Sequence, residues 1–508
     1  MAAVLLAGLL AWAGLAAAAA PFRSFGVADG LPSSQVQAIA QDRAGYLWLA
    51  TPDGLARYDG LGFTVWRQVP GQPGSLPGNA VESVFVDGED QVWVAVQGQG
   101  LWRFDRDGRR FLPAAASPVS PVDGLPAPVT RLRDREGALW EGGPAGLQRI
   151  APGGVVAAWP APAFGRAVLA LFEDRGGGLW FGTRDDGLLA LPATWRSFAF
   201  LPATGTEADA APLLADAGEA GAWVARGASL RLLDLGAGRE RTPSVLPALS
   251  PSPITALLAR ADGSLWLAQG AALSRLVFDA QAAAWRRQSL PTAGGAVAKL
   301  LEASDGRVWL VGAAGIEWRD GDGAKLGGLP GPPPGPLWRG PDGQAWVAVG
   351  NGLARWVPGA ASFEPVAGAP PGPVLDLLAE PDGSVWLAGM GRLSRLQWER
   401  GRLHPQRSFG PGDGVPAALG ARLARDPRGA LWLATPRGLL RLEPEGRQLR
   451  RFGVGDGLVV QELGGAALHV GADGLGVVAP RRGPQLLDTR RLARPAPPPP
   501  PGGVGKLG

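Results

Sequence analysis

The chain has 508 residues, with 49 basic and 45 acidic side chains, a net charge of +4, two histidines and no cysteine. Disulfides, thiol chemistry and lipid attachment through cysteine are therefore excluded. The charge is close to balanced and no basic run is interleaved with aromatics, so nothing marks a nucleic-acid partner.

Residues 1–20, MAAVLLAGLLAWAGLAAAAA, place an apolar core ahead of small residues that permit cleavage after Ala20. This predicts a signal peptide, although no basic residue precedes the core, and a periplasmic location for the rest of the chain. No other stretch is long and apolar enough to span a membrane as a helix.

The first repeat unit begins at Val36. Val36 and Ile39 lie in an apolar run ending at Asp42, Leu47-Trp48-Leu49 form a second, and Leu55 to Tyr58 form a third. Asp42 and Gly45 between the first two supply turn chemistry: the carboxylate accepts from the backbone ahead, and Gly allows a left-handed φ. Three short strands, with a fourth before the next unit, predict one four-stranded blade.

The unit recurs. Trp48, Trp93, Trp140, Trp180, Trp223, Trp266, Trp309, Trp346, Trp386 and Trp432 are separated by 37 to 47 residues. That period predicts an all-β fold, a β-propeller of about eleven four-stranded blades in two tandem rings. The eleventh, weakened unit has Val477 at the tryptophan position. Each Trp reads as packing between blades, since burying one is worth on the order of 4–6 kcal/mol gross. Arg57, Arg103, Arg149, Arg275, Arg355, Arg395 and Arg441 recur at Gly-Leu-x-Arg and read as structural stems with solvated heads, the alternative being a ring of cations for an acidic ligand.

The Gly/Pro-rich run at 327–336 predicts a ring boundary, giving about seven blades over 21–326, about four over 327–490 and a Pro-rich tail over 491–508. A competing arrangement starts from the likeness of Arg23–Leu31 to Arg451–Leu458. There the N-terminal strand completes a C-terminal blade, and the middle blades form a ring of their own.

Function should lie in the loop after each tryptophan strand, the most variable part of the repeat. The candidate ligand-binding residues are Thr51, Asp53, Gln97, Gln99, Thr183, Arg184, Asp185, Asp186, Arg226, Gln269, Asn351 and Arg437. Their hydroxyl, amide and charged groups suit sugar hydroxyls or an acidic sugar, and equally suit solvated turns. Trp338, placed ahead of its repeat, is the one further tryptophan expected to be exposed. His404 and His469 lie outside the repeat, and no catalytic set, metal cluster or cofactor-binding loop emerges.

The segment Phe25–Trp66, with Asp29-Gly-Leu-Pro32, Gly45-Tyr-Leu-Trp-Leu-Ala-Thr51 and Asp53-Gly-Leu-Ala-Arg-Tyr-Asp-Gly60, resembles the two-component regulator propeller repeat. Partial copies of the lead-in stand at Asp123–Pro126, Asp413–Pro416 and Asp456–Leu458. The resemblance implies the periplasmic ligand-sensing region of a sensor histidine kinase or diguanylate cyclase. The implied partners are a small-molecule or oligosaccharide ligand and a membrane-bound kinase or cyclase encoded separately; a homodimer is left open. The chain carries about eleven blades where such proteins carry about fourteen, and it lacks the immunoglobulin-like, membrane and output segments, so a truncated receptor gene is expected. A free secreted scaffold and a propeller enzyme similar to streptogramin lyase are the alternatives.

Overall fold

The computed structural model describes residues 22–114, 130–152, 154, 156–160, 167–201, 212–218, 221–241, 246–331, 335–417, 421–444 and 449–492. The expected signal peptide, the Asp123–Pro126 lead-in and the tail beyond 492 lie outside them. The described residues hold strands and short 3-10 turns and no α-helix, and the strands form eleven four-stranded sheets. Every sheet is antiparallel, nine of them are meanders of consecutive strands, and in ten the repeat tryptophan stands on the second strand.

The chain divides between Trp195 and Arg196, with Gly455–Gly457 grouped with the first unit. The N-terminal unit holds four blades, those of Trp48, Trp93, Trp140 and Trp180. The Trp180 blade takes its outer strand from the start of the chain, where Arg23–Phe25 pairs antiparallel with Leu188–Leu191. Its inner strand, Val168–Glu173, packs beside the inner strand Ala38–Gln41 of the Trp48 blade.

The C-terminal unit is a closed ring of seven. The inner strands Leu213–Asp216, Ala256–Ala259, Val297–Glu302, Leu337–Arg339, Val374–Ala379, Arg422–Arg425 and Ala467–Val470 each meet the next, and the last meets the first. The blade of Ala467–Val470 is completed by Phe198–Phe200, which pairs with Gln485–Asp488.

Two expectations are corrected. The division is four blades then seven, not seven then four at 327. Gly327–Pro330 is part of an outer strand, Lys325–Pro330, rather than a linker. Glycine is required there because a Cβ at Gly327 would sit 2.3 Å from the Trp318 ring. The N-terminal strand completes the Trp180 blade, not a C-terminal one. The likeness of Arg23–Leu31 to Arg451–Leu458 has a local cause: both are an outer strand running into a 3-10 turn, Val27–Asp29 and Val454–Asp456. In the first, Asp29 accepts the Gly26 N–H at 2.8 Å and Gly30 takes φ 103°, which explains the Asp-Gly pair.

Eight of the ten repeat tryptophans are buried, and Trp93 and Trp180 are half-buried. The turn aspartate holds the indole: Trp48 donates to Asp42 at 2.9 Å, Trp140 to Asp134 at 3.0 Å and Trp180 to Asp174 at 2.7 Å. The recurring arginine is the cross-strand partner of the same ring, as in Trp48↔Arg57, Trp140↔Arg149 and Trp432↔Arg441. The Arg441 guanidinium lies 5.6 Å from the Trp432 ring centre, and its side chain is 6% exposed. At that blade the head is buried rather than solvated, a cation–π and ion-pair position.

Candidate functional site

The turns after the tryptophan strands show what their polar residues do. Thr51 is buried; its hydroxyl donates to Gly54 O at 2.7 Å and accepts the Asp53 N–H at 3.2 Å. Thr183 does the same with Gly187 O at 2.8 Å and Asp186 N–H at 3.0 Å. These hydroxyls are spent inside the turn. Asp53 pairs with Arg67 at 2.9 Å, and Gln99 accepts the Trp102 indole N–H on its carbonyl at 2.9 Å. Gln269 is buried and donates to Ser250 O and Ser252 O at 2.8 and 2.6 Å. Gln97, Arg184, Asp185, Asp186, Asn351 and Arg437 are exposed, and Arg226 is half-buried. None of the twelve lines the cleft on the Trp309 blade.

That cleft lies in the C-terminal unit and has a volume of about 310 Å³. This is the small end of the ~300–1,000 Å³ range of small-molecule sites. It is bounded by the lead-in Ala293–Val297, the turn Gly312–Gly315 and the outer strand Lys325–Pro330. Glu317 and Lys325 are its two charged residues. Glu317 stands on the third strand, in register with Leu310 on one side and Gly328 on the other. Its carboxylate accepts from Arg319 Nε at 2.6 Å and pairs with Lys325 Nζ at 3.2 Å. Burial alone would push the Glu317 carboxyl up, but the hydrogen bonds and charges of Arg319 and Lys325 hold it below the usual carboxylate value. Arg319 is itself buried and also donates to Pro291 O, Gly323 O and Thr292 O at 2.6, 3.1 and 2.9 Å.

Reading polar turns does not find this blade, because its turn, Ala313-Ala314, carries no polar side chain. The signal is in the substitution pattern. Trp318 occupies the recurring arginine position, and a carboxylate stands one residue before it.

A second cluster crosses the inner strands of the same unit. Trp338, expected to be exposed, is buried and donates its indole N–H to Asp376 Oδ1 at 2.6 Å. Asp376 Oδ2 accepts the Leu423 N–H at 2.7 Å. Lys299 donates to Leu337 O and lies 5.6 Å from the Trp338 ring centre. Burial lowers the Lys299 ammonium to about 8, against the attraction of Asp376. These side chains tie up inner-edge groups of successive blades that would otherwise lack strand partners. Among the described residues no group of three or more His, Asp or Glu could hold a metal ion.

Sheet number, meander and ring closure define a β-propeller protein. Residues 30–53 match the family model described as two component regulator propeller, so the chain carries that repeat in its first blade. A 49-residue stretch is 47% identical to histidine kinase P4 of Formosa agariphila, covering 10% of this chain and 4% of that protein. The extracellular domain of a hybrid two component system from B. thetaiotaomicron superposes with TM-score 0.61 and 14% identity, over 92% of this chain and 83% of its own. A second such domain from B. thetaiotaomicron gives 0.46 and 16%, over 91% and 70%. At these identities the structural likeness is one of fold.

Proposed function

We propose that the chain is the extracellular ligand-sensing region of a two-component or cyclic-di-GMP receptor, taking a saccharide or another small polar molecule. The observation that carries this reading is the 310 Å³ cleft: one blade of a closed seven-bladed ring departs from its neighbours to leave an open volume beside an ionised carboxylate. The first-blade repeat and the fold shared with a hybrid-system extracellular domain support it. Export through residues 1–20 and a kinase or cyclase output on a separate polypeptide belong to the same reading. So does a non-enzymatic role.

The test is calorimetric titration of the full exported chain with a panel of mono- and oligosaccharides, repeated by hydrogen exchange on the bound form. Saturable binding with protection changes that reach past the binding blade is the expected result. Turnover of a bound saccharide, or binding that changes no protection outside the contact residues, would overturn it.

A further inference from the structure

The cleft on the Trp309 blade is made by subtraction. Across the sheet one row reads Gly312, Gly315, Pro330, and two rows away on the same face stand Leu310, Glu317, Gly328. Several other blades fill the Gly312 position with Thr51, Thr183 or Gln269, and the Glu317 position with Ala56, Leu189, Ala354 or Leu440. Among the described residues no other blade has a carboxylate there. Side-chain volume is therefore missing at Gly312 and Gly328, and Glu317 adds a charge that packing does not need.

The charges do not balance. Glu317 contributes one negative charge, while Arg319 and Lys325 contribute two positive ones. Arg319 is 2% exposed and its donors are committed to Glu317 and three backbone carbonyls, so it anchors the carboxylate. Lys325 is different: it is 57% exposed, sits on the cleft wall, and has three donors of which Glu317 takes one. The rest of the wall is Gly, Ala, Pro, Leu, Ile and Val, a surface for the carbon skeleton of a ring.

We infer that this cleft binds a small hydroxylated carboxylate, its acid group on Lys325 and a hydroxyl donating to Glu317. The inference rests on the reading of the chain as a ligand-binding module and names the site and ligand class within it. A ring-shaped sugar acid and an open-chain hydroxy acid share this chemistry.

Full-length protein is titrated with D-glucuronate, D-gluconate and D-glucose. Glucuronate or gluconate should bind about tenfold or more tighter than glucose, the share of one charge-assisted hydrogen bond. Preference between the two acids identifies the ring or the open chain as the source. Lys325→Met should remove that advantage. Gly328 lies outside the left-handed φ region, and a Cβ added there meets its nearest atom at 3.2 Å. That contact is with the Ile316 carbonyl oxygen and is tight, so Gly328→Val requires the neighbouring strand to give by a few tenths of an ångström; the folded variant should abolish binding of both acids by filling the cleft. Circular dichroism and thermal melting of both variants establish that they fold. Equal affinity for glucose and the acids, or unchanged acid binding by Lys325→Met, would overturn the inference. Saccharide binding that neither variant alters would leave the sensor reading standing and remove this site from it.

Discussion

Trp432 donates its indole N–H to Asp426 Oδ2 at 3.0 Å while the other oxygen of Asp426 accepts the Ala430 N–H at 2.9 Å. One carboxylate thus closes the turn and satisfies the largest side chain in the blade. Both residues are buried, and Asp426 also accepts the Arg428 N–H at 3.0 Å, so Asp426→Ala strands three donors and should cost about 2–4 kcal/mol in urea unfolding. Among the described residues the Trp266 indole N–H has no hydrogen-bond partner. Its nearest turn aspartate, Asp262, is engaged by Arg275 at 2.9 Å and by the Ser264 N–H at 2.9 Å. Trp266→Phe should therefore cost less than Trp432→Phe, by about 1–2 kcal/mol. Equal losses would mean the aspartate contributes nothing through the indole.

The buried threonine of the turn after Trp180 makes a related prediction. Thr183→Val keeps the shape and removes a hydroxyl that bonds twice within the turn, so stability should fall by about 1–2 kcal/mol. Asp185→Ala, on an exposed neighbour, should change it by less than about 0.5 kcal/mol. Chemical denaturation of both variants checks the contrast.

These two cases show what could be read from the sequence. Trp, turn Asp, Gly and cross-strand Arg repeat, so their shared role in packing follows from periodicity, and eleven blades could be counted. Ring membership could not, because closure depends on which strand completes which blade. Arg23–Phe25 and Phe198–Phe200 each pair with residues more than a hundred positions away, with nothing local to name the partner. The cleft is hidden for a related reason. A polar turn such as Thr51-Pro-Asp53 draws attention as a ligand site, yet its hydroxyl faces inward, whereas the open volume arises where Gly312 and Gly328 have no side chain at all. Volume made by absence leaves no motif.

Closure of the seven-bladed unit by Phe198–Phe200 can be tested by itself. Leu201 donates to Pro484 O at 2.9 Å, so two residues back the Ala199 N–H faces Leu486 in the same ladder. Ala199→Pro removes that donor and should lower the stability of the C-terminal unit by about 2–4 kcal/mol. Ser24→Pro should act on the strand that completes the Trp180 blade. Scanning calorimetry with limited proteolysis assigns the transitions. Each substitution should lower a different one, and a single transition lowered equally by both would contradict closure within separate units.

Lys299 gives the pH dependence its sign. Burial, together with the charge of Arg422 and against that of Asp376, lowers its ammonium from 10.5 to about 8 in the folded chain. Between these values the unfolded chain binds more protons than the folded one, so this group makes stability rise with pH across that window. Below about 8 the full cost is present, because the folded state then holds a buried ammonium. A shift from 10.5 to about 8 corresponds to roughly 3 kcal/mol. Asp376 acts in the opposite sense at acid pH: burial raises its carboxyl above 3.8, and stability from that group falls as pH rises through its own window. Lys299→Met removes the alkaline term and leaves the acid one. Urea unfolding of both proteins at pH 7 and pH 10.5 should show the wild type gaining about 2–3 kcal/mol relative to the variant on going to the higher pH. Titrations elsewhere in the chain cancel in that difference. An unchanged difference between the two pH values would mean that Lys299 is not buried as an ammonium between the inner strands.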